Sequence, residues 1–132
     1  MSDFVRSYQE LKVYQLAFQC STQIFELSRQ FPPEERLLLT RQSLTASRSV
    51  CASLAEAWGQ RRYRKAFIAK LSDAQAEAAE MQTWVQFAVQ CEYLNREVGQ
   101  ELFGQYRIIY AALERLIENA DVWVKPMEGA LR

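Results

Sequence analysis

Residues 67–88 read FIAKLSDAQAEAAEMQTWVQFA, and the spacing of the apolar side chains within them decides the fold. Phe67, Leu71, Ala74, Ala78, Met81, Val85 and Ala88 alternate steps of four and three for three heptads. Side chains three and four apart share a helix face, so this rhythm predicts one long helix with a single core stripe, packed knobs-into-holes. Run from about Tyr63 to Cys91, such a helix is about 43 Å long at ~1.5 Å per residue.

The segments on either side repeat the pattern. Val13, Ala17, Cys20, Ile24, Leu27 and Phe31 form the stripe of a first helix. It is stopped by FPPEE (31–35), because a proline disfavours a helical residue before it and Pro33 suits the first position of the next helix. That second helix is expected over about Glu34 to Trp58, with Glu34 and Glu35 in a first turn where the dipole favours anions. Its stretch TASRSVCASLAEAWG (45–59) concentrates Ala46, Ser47, Ser49, Cys51, Ala52, Ser53, Ala55 and Ala57. Side chains this small let neighbouring helices come close, which predicts a central, tightly packed element, and Gly59 is expected as its left-handed stop.

EYLNRE (92–97) interrupts the third pattern and offers Asn95 as the N-cap of a fourth helix. There Leu102, Tyr106, Ile109, Leu113 and Leu116 line up, widened by Phe103, Tyr110 and Ile117. Four amphipathic helices on short links predict an all-α fold, an antiparallel up-down-up-down four-helix bundle over residues 1–120. Residues 121–132, with Pro126, Gly129 and no period, are expected as an irregular C-terminal tail, loose or docked through Trp123.

Composition agrees with this class. Of 132 residues 49% are hydrophobic and 24% charged, while glycine and proline together number seven, too few for strands joined by turns. No apolar leader segment is read in MSDFVRSYQELK and no run of eighteen apolar residues occurs, so neither export nor a membrane span is expected. Cys20, Cys51 and Cys91 are odd in number and far apart, which argues against disulfides and zinc and for a reduced, cytoplasmic setting. All three are expected as small buried hydrophobes.

The third helix carries more apolar surface than its core stripe explains. At about 100° per residue Phe87 points about 200° away from Phe67, with Trp84 and Cys91 beside it. Two covers are open for this face: another copy of the chain, or the C-terminal tail.

Catalytic chemistry finds little support. The sequence has no histidine, and it lacks the glycine-rich phosphate loops and the nucleophile elbow. No catalytic residue, cofactor or metal site is assigned. Glu56, Glu77 and Glu80 are the carboxylates worth following, either as a proton-sharing or cation-binding group or as partners in helix contacts.

The formal net charge is zero, yet residues 61–70 carry five basic side chains and no acidic one, whereas residues 71–132 carry five basic against ten acidic. GQRRYRKAF (59–67) gathers Arg61, Arg62, Arg64 and Lys65 around Tyr63, at the second interhelical link. The helix dipole disfavours cations at a helix start, so they are not there to stabilise it. Two readings stand: a solvated junction, or a site where the cations hold phosphates and Tyr63 stacks on an unpaired base of RNA or single-stranded DNA.

YQELKVYQLA (8–17), FPPEE, SRSVCASLAEAWGQRR (47–62), EMQTW (80–84) and EYL (92–94) together resemble the bacterial four-helix-bundle proteins encoded in intervening sequences of 23S ribosomal RNA genes. The resemblance runs from about Tyr8 to Ile117. Where family members often read Ser-Ile-Pro-x-Asn-Ile-Ala-Glu-Gly, this chain has Ser49-Val50-Cys51-Ala52-Ser53-Leu54-Ala55-Glu56-Ala57. Cys51 keeps the N–H that proline lacks, so a straighter, fully bonded second helix is expected. The resemblance implies a non-enzymatic protomer, a ring-like homo-oligomer tending to a homopentamer, and an RNA or nucleoprotein association of the kind suggested by similar accessory proteins of diversity-generating retroelements. It also matches Glu80 to a glutamate of the family's third helix. A scaffold or accessory module with weak nucleic-acid affinity is the function expected; the alternative is a protein–protein interaction module without a nucleic-acid role.

Overall fold

A computed structural model describes residues 5–125. Met1 to Phe4, within the segment read for a leader, and Pro126 and Gly129 of the expected tail lie outside the described residues. Four long helices surround one core: α1 (Lys12–Ser28), α2 (Leu39–Gly59), α3 (Arg64–Gln90) and α4 (Arg96–Glu118). A fifth, α5 (Ala120–Trp123), is a single turn, and no strand occurs among the described residues. The contacts of α3 with α2 and α4 are the most extensive, and α1 closes the bundle against α2 and α4.

All seven stripe residues of α3 are buried. Between them Gln75 is buried too, and it bridges to α4 by donating to the Tyr110 carbonyl (3.3 Å) and to Glu114 Oε1 (2.8 Å). Of the eight small residues expected to pack on α2, Ala46, Ser47, Cys51, Ser53 and Ala57 are buried, Ser49 and Ala55 are half-buried and Ala52 is exposed. Ser43 and Val50 are buried as well, and the Ser47 hydroxyl meets that of Ser21 on α1 at 3.1 Å. Ser47 Oγ donates to the Leu44 carbonyl at 3.2 Å and accepts from Ser21, so the helices approach without leaving either hydroxyl hydrogen alone. The helix runs uninterrupted through Cys51.

Three boundaries differ from expectation. The proline segment forms only a short 3-10 turn, Pro33–Glu35, and α2 begins later, at Leu39 rather than Glu34. Leu38 leaves helical geometry (φ −116°, ψ −105°), and the Glu35 carboxylate accepts from the Leu39 N–H at 3.2 Å. Gly59 is the last helical residue of α2 and not a left-handed stop; the chain leaves through Gln60, whose N–H reaches the Ala57 carbonyl. A left-handed residue does end α3, but it is Glu92 (φ 65°). Tyr93 N–H bonds to the Ala88 carbonyl at 2.8 Å and Glu92 N–H to Val89 at 3.0 Å, the paired closure that ties off helix ends.

The tail is partly ordered where irregularity was expected. Residues 121–123 belong to α5, Ala120 is fully buried, and Trp123 meets Trp58 with ring centroids 5.9 Å apart. Asn95 caps α4 as expected, its Oδ1 accepting from Val98 N–H at 2.8 Å.

Where α4 starts, Gly99 lies directly against Val89 of α3, and a Cβ there would overlap Val89 Cγ2. A β-branched side chain in a helix has little freedom to turn away. Gly99→Ala should therefore lose about 1–3 kcal/mol to overpacking and regain about 1 in helix propensity. A net loss of about 1 kcal/mol is expected from urea unfolding; a more stable variant would show that α3 and α4 are not in close contact there.

Candidate functional site

The basic stretch sits where α2 hands over to α3, and the structure gives its members different roles. Arg61 is half-buried: its guanidinium lies 3.5 Å over the Trp58 ring and its Nε donates to the Trp58 carbonyl at 2.9 Å. Burial lowers the Arg61 pKa, yet a guanidinium stays charged in proteins. Arg64 Nε contacts Asp121 Oδ1 of α5 at 2.8 Å. Arg62 and Lys65 are exposed and form no ion pair among the described residues. Tyr63, just before α3, is also exposed.

A sixth residue joins them that sequence spacing did not reveal. Lys125 N–H donates to the Arg61 carbonyl at 2.9 Å, so the end of the described chain lies against the link. Trp58, Gly59, Arg61, Arg62, Tyr63 and Lys125 then line one shallow cleft. Sixty residues separate Lys125 from this cluster, and only the docking of Ala120 and Trp123 brings it there.

The outward side of α3 is mostly polar, with an apolar spot at its C-terminal end. Phe87 is 53% exposed, Trp84 is half-buried beside it at 6.1 Å between centroids, and Cys91 is exposed. Exposure of Cys91 corrects the expectation that all three cysteines are interior; it falls just past α3 at the turn. Cys20 and Cys51 are buried, which pushes both thiols up to about 11 and keeps them protonated and unreactive. The described tail docks at the other end of α3, twenty residues or about 30 Å from Phe87. It leaves this face open.

Two further apolar features escaped the sequence reading. Leu37 and Leu38, 70% and 62% exposed, stand in the loop before α2; Leu38 borders the same hollow as Trp84, Phe87 and Cys91. Sequence spacing places them inside the second helix, which begins only at Leu39. On α1, Phe18 (55% exposed) and Phe25 flank a separate groove with Tyr8, Tyr14, Ala52 and Ala55. Phe18 and Phe25 are seven residues apart and outside the α1 core stripe, a signal the sequence did contain.

The three glutamates are not gathered into one centre. Glu56 pairs with Lys70 at 3.2 Å, Glu77 accepts from the Ser53 hydroxyl at 2.8 Å, and Glu80 is exposed. Among the described residues no group of three His, Cys, Asp or Glu side chains is placed to hold a metal ion.

Burial raises the Glu77 pKa above its ordinary value; the Ser53 hydrogen bond opposes this, and the charges of Asp73 and Glu80 add to it. A carboxyl that holds its proton more firmly in the folded state contributes stability below its folded pKa and loses it as pH rises through that value. Glu77→Gln keeps an acceptor for Ser53 and removes the buried charge. Unfolding measured across the acidic range should show a flatter pH profile and undiminished stability at neutral pH. A variant that loses most at neutral pH would mean that the ionised carboxylate is needed.

With the geometry in place, comparison with known proteins is informative. No curated protein matches the chain. It is similar to the crystal structure of a protein of unknown function from the S23 ribosomal protein family of Bacteroides thetaiotaomicron, with a TM-score of 0.72 and 26% identity over 80% of this chain and 95% of that one. The pattern of the 23S rRNA-intervening sequence proteins matches residues 9–115, which reaches from the turn before α1 into the last turns of α4. The chain belongs to the 23S rRNA-intervening sequence protein family.

Proposed function

We propose that this protein is a non-enzymatic scaffold or accessory module that works as a ring-like homo-oligomer, a homopentamer, of antiparallel up-down-up-down bundles. The carrying observation is that each protomer exposes two unlike apolar surfaces: the aromatic groove of α1 and α2, and the hollow of Leu38, Trp84 and Phe87 where α2 begins and α3 ends, with exposed Leu37 next to Leu38 in the chain. Contacts between unlike surfaces are head-to-tail, and a head-to-tail contact generates a ring when its rotation closes. Small residues at Ala52 and Ala55 let a neighbour's side chain come near the α2 backbone. The antiparallel order is supported by which ends meet. Phe31 after α1 packs on Tyr93 before α4 at 5.4 Å, and Trp58 at the end of α2 lies with Phe67 at the start of α3.

The link cluster gives the scaffold weak, sequence-tolerant affinity for RNA or single-stranded DNA. Arg62, Lys65 and Lys125 supply the cations and Tyr63 a stacking face, repeated around the ring so that their fields add. Such binding weakens steeply with salt. The free thiols favour a reducing, cytoplasmic setting.

Solution mass tests the proposal. Light scattering on the intact chain should give five times the mass of one chain, and Leu38→Glu together with Phe87→Glu should return folded protein of lower mass. A folded wild-type monomer would contradict the scaffold. A ring that binds no nucleic acid would leave it a protein-interaction module.

A further inference from the structure

The end of the described chain closes over the basic link with two polar contacts and one apolar one. Asp121 takes the Arg64 guanidinium at 2.8 Å, Trp123 packs on Trp58, and Trp58 in turn carries Arg61 on its face. The Lys125 amide is tied to the Arg61 carbonyl. Of the four link cations Arg64 is thereby engaged, and the neutralising group comes from α5, fifty-seven residues away in sequence. Nothing in the core requires Asp121 to be there: its side chain is 83% exposed and that of Arg64 is 55% exposed. An ion pair this open contributes little to stability and yields readily to a competing anion.

We infer that residues 120–125 are a latch that masks the nucleic-acid-binding link, and that a single-stranded nucleic acid displaces Asp121 from Arg64 as it binds. This rests on the reading of the link as a polyanion site and adds its regulation. A phosphate oxygen offers Arg64 the same fork of acceptors as the carboxylate, with more charge nearby. The exchange needs only the exposed Asp121 side chain to turn away, while Ala120 stays buried and Trp123 stays packed on the core, so the bundle is left intact. With Asp121 displaced, Arg64 becomes available alongside Arg62, Lys65, Lys125 and Tyr63.

The test is binding of a fluorescent single-stranded oligouridylate to the full chain across a salt series. Asp121→Asn removes the carboxylate that a phosphate must otherwise displace from Arg64. Binding should tighten roughly five-fold at low salt, with the slope of log affinity against log salt little changed because the same phosphates are contacted. Trp123→Ala unfastens the latch without changing charge and should tighten binding in the same direction. Arg64→Gln should bind more weakly than the wild type and abolish the gain from Asp121→Asn. If the wild type binds with a steep salt dependence but neither variant tightens, the link site stands and the latch is wrong. A gain from Asp121→Asn that persists with Gln at position 64, or that Trp123→Ala fails to reproduce, reduces Asp121 to a local negative charge and also overturns the latch. Absence of binding by every form at low salt overturns both the latch and the site.

Discussion

Burial of the apolar stripe of α3 between α2 and α4 is the interaction on which the remaining structure depends. Apolar burial stabilises by about 25 cal/mol per Å², and this helix contributes seven buried hydrophobic residues along its length. Committing that side fixes what the other can do. Phe87 is turned outward by the same 3.6-residue geometry that turns Phe67 and Leu71 inward, with Trp84 half-buried beside it, so an apolar spot at the end of α3 follows from the core. The close approach at Gly99 and the Gln75 bridge to Glu114 then hold α4 in a single register.

Much of this was legible in the residue pattern, because helix stripes are set by period and period survives any tertiary context. The α3 stripe, the small-residue face of α2 and the Asn95 cap all appear as the spacing predicts. Boundaries were legible only where one local rule applied. At Pro33–Glu35 the local rules for a helix start were met by a 3-10 turn, and Glu35 was drawn into capping Leu39 and accepting from the Tyr93 hydroxyl at 2.8 Å. That hydrogen bond spans 58 residues, so no local reading could supply it. Its consequence, the exposure of Leu37 and Leu38, was hidden for the same reason.

The candidate site shows a similar division. The density of cations at the link is a property of the sequence, whereas their availability is a property of the fold. Arg61 is occupied by a tryptophan three residues earlier, a local contact, but Arg64 and the added Lys125 depend on where α5 docks. Charge counted along a chain measures what a surface carries; ion pairs formed across the fold decide what it offers to a ligand. The link is thus a smaller and more adjustable cationic surface than its four adjacent charges imply.

Native-state hydrogen exchange tests the organising role of α3 most directly. If its buried stripe holds the bundle together, amides from Leu71 to Val85 should exchange only through global unfolding, with the opening free energy found by denaturant, while residues 120–125 open far more easily. Exchange of those α3 amides through a smaller, partial opening that leaves α1 and α4 protected would contradict the account.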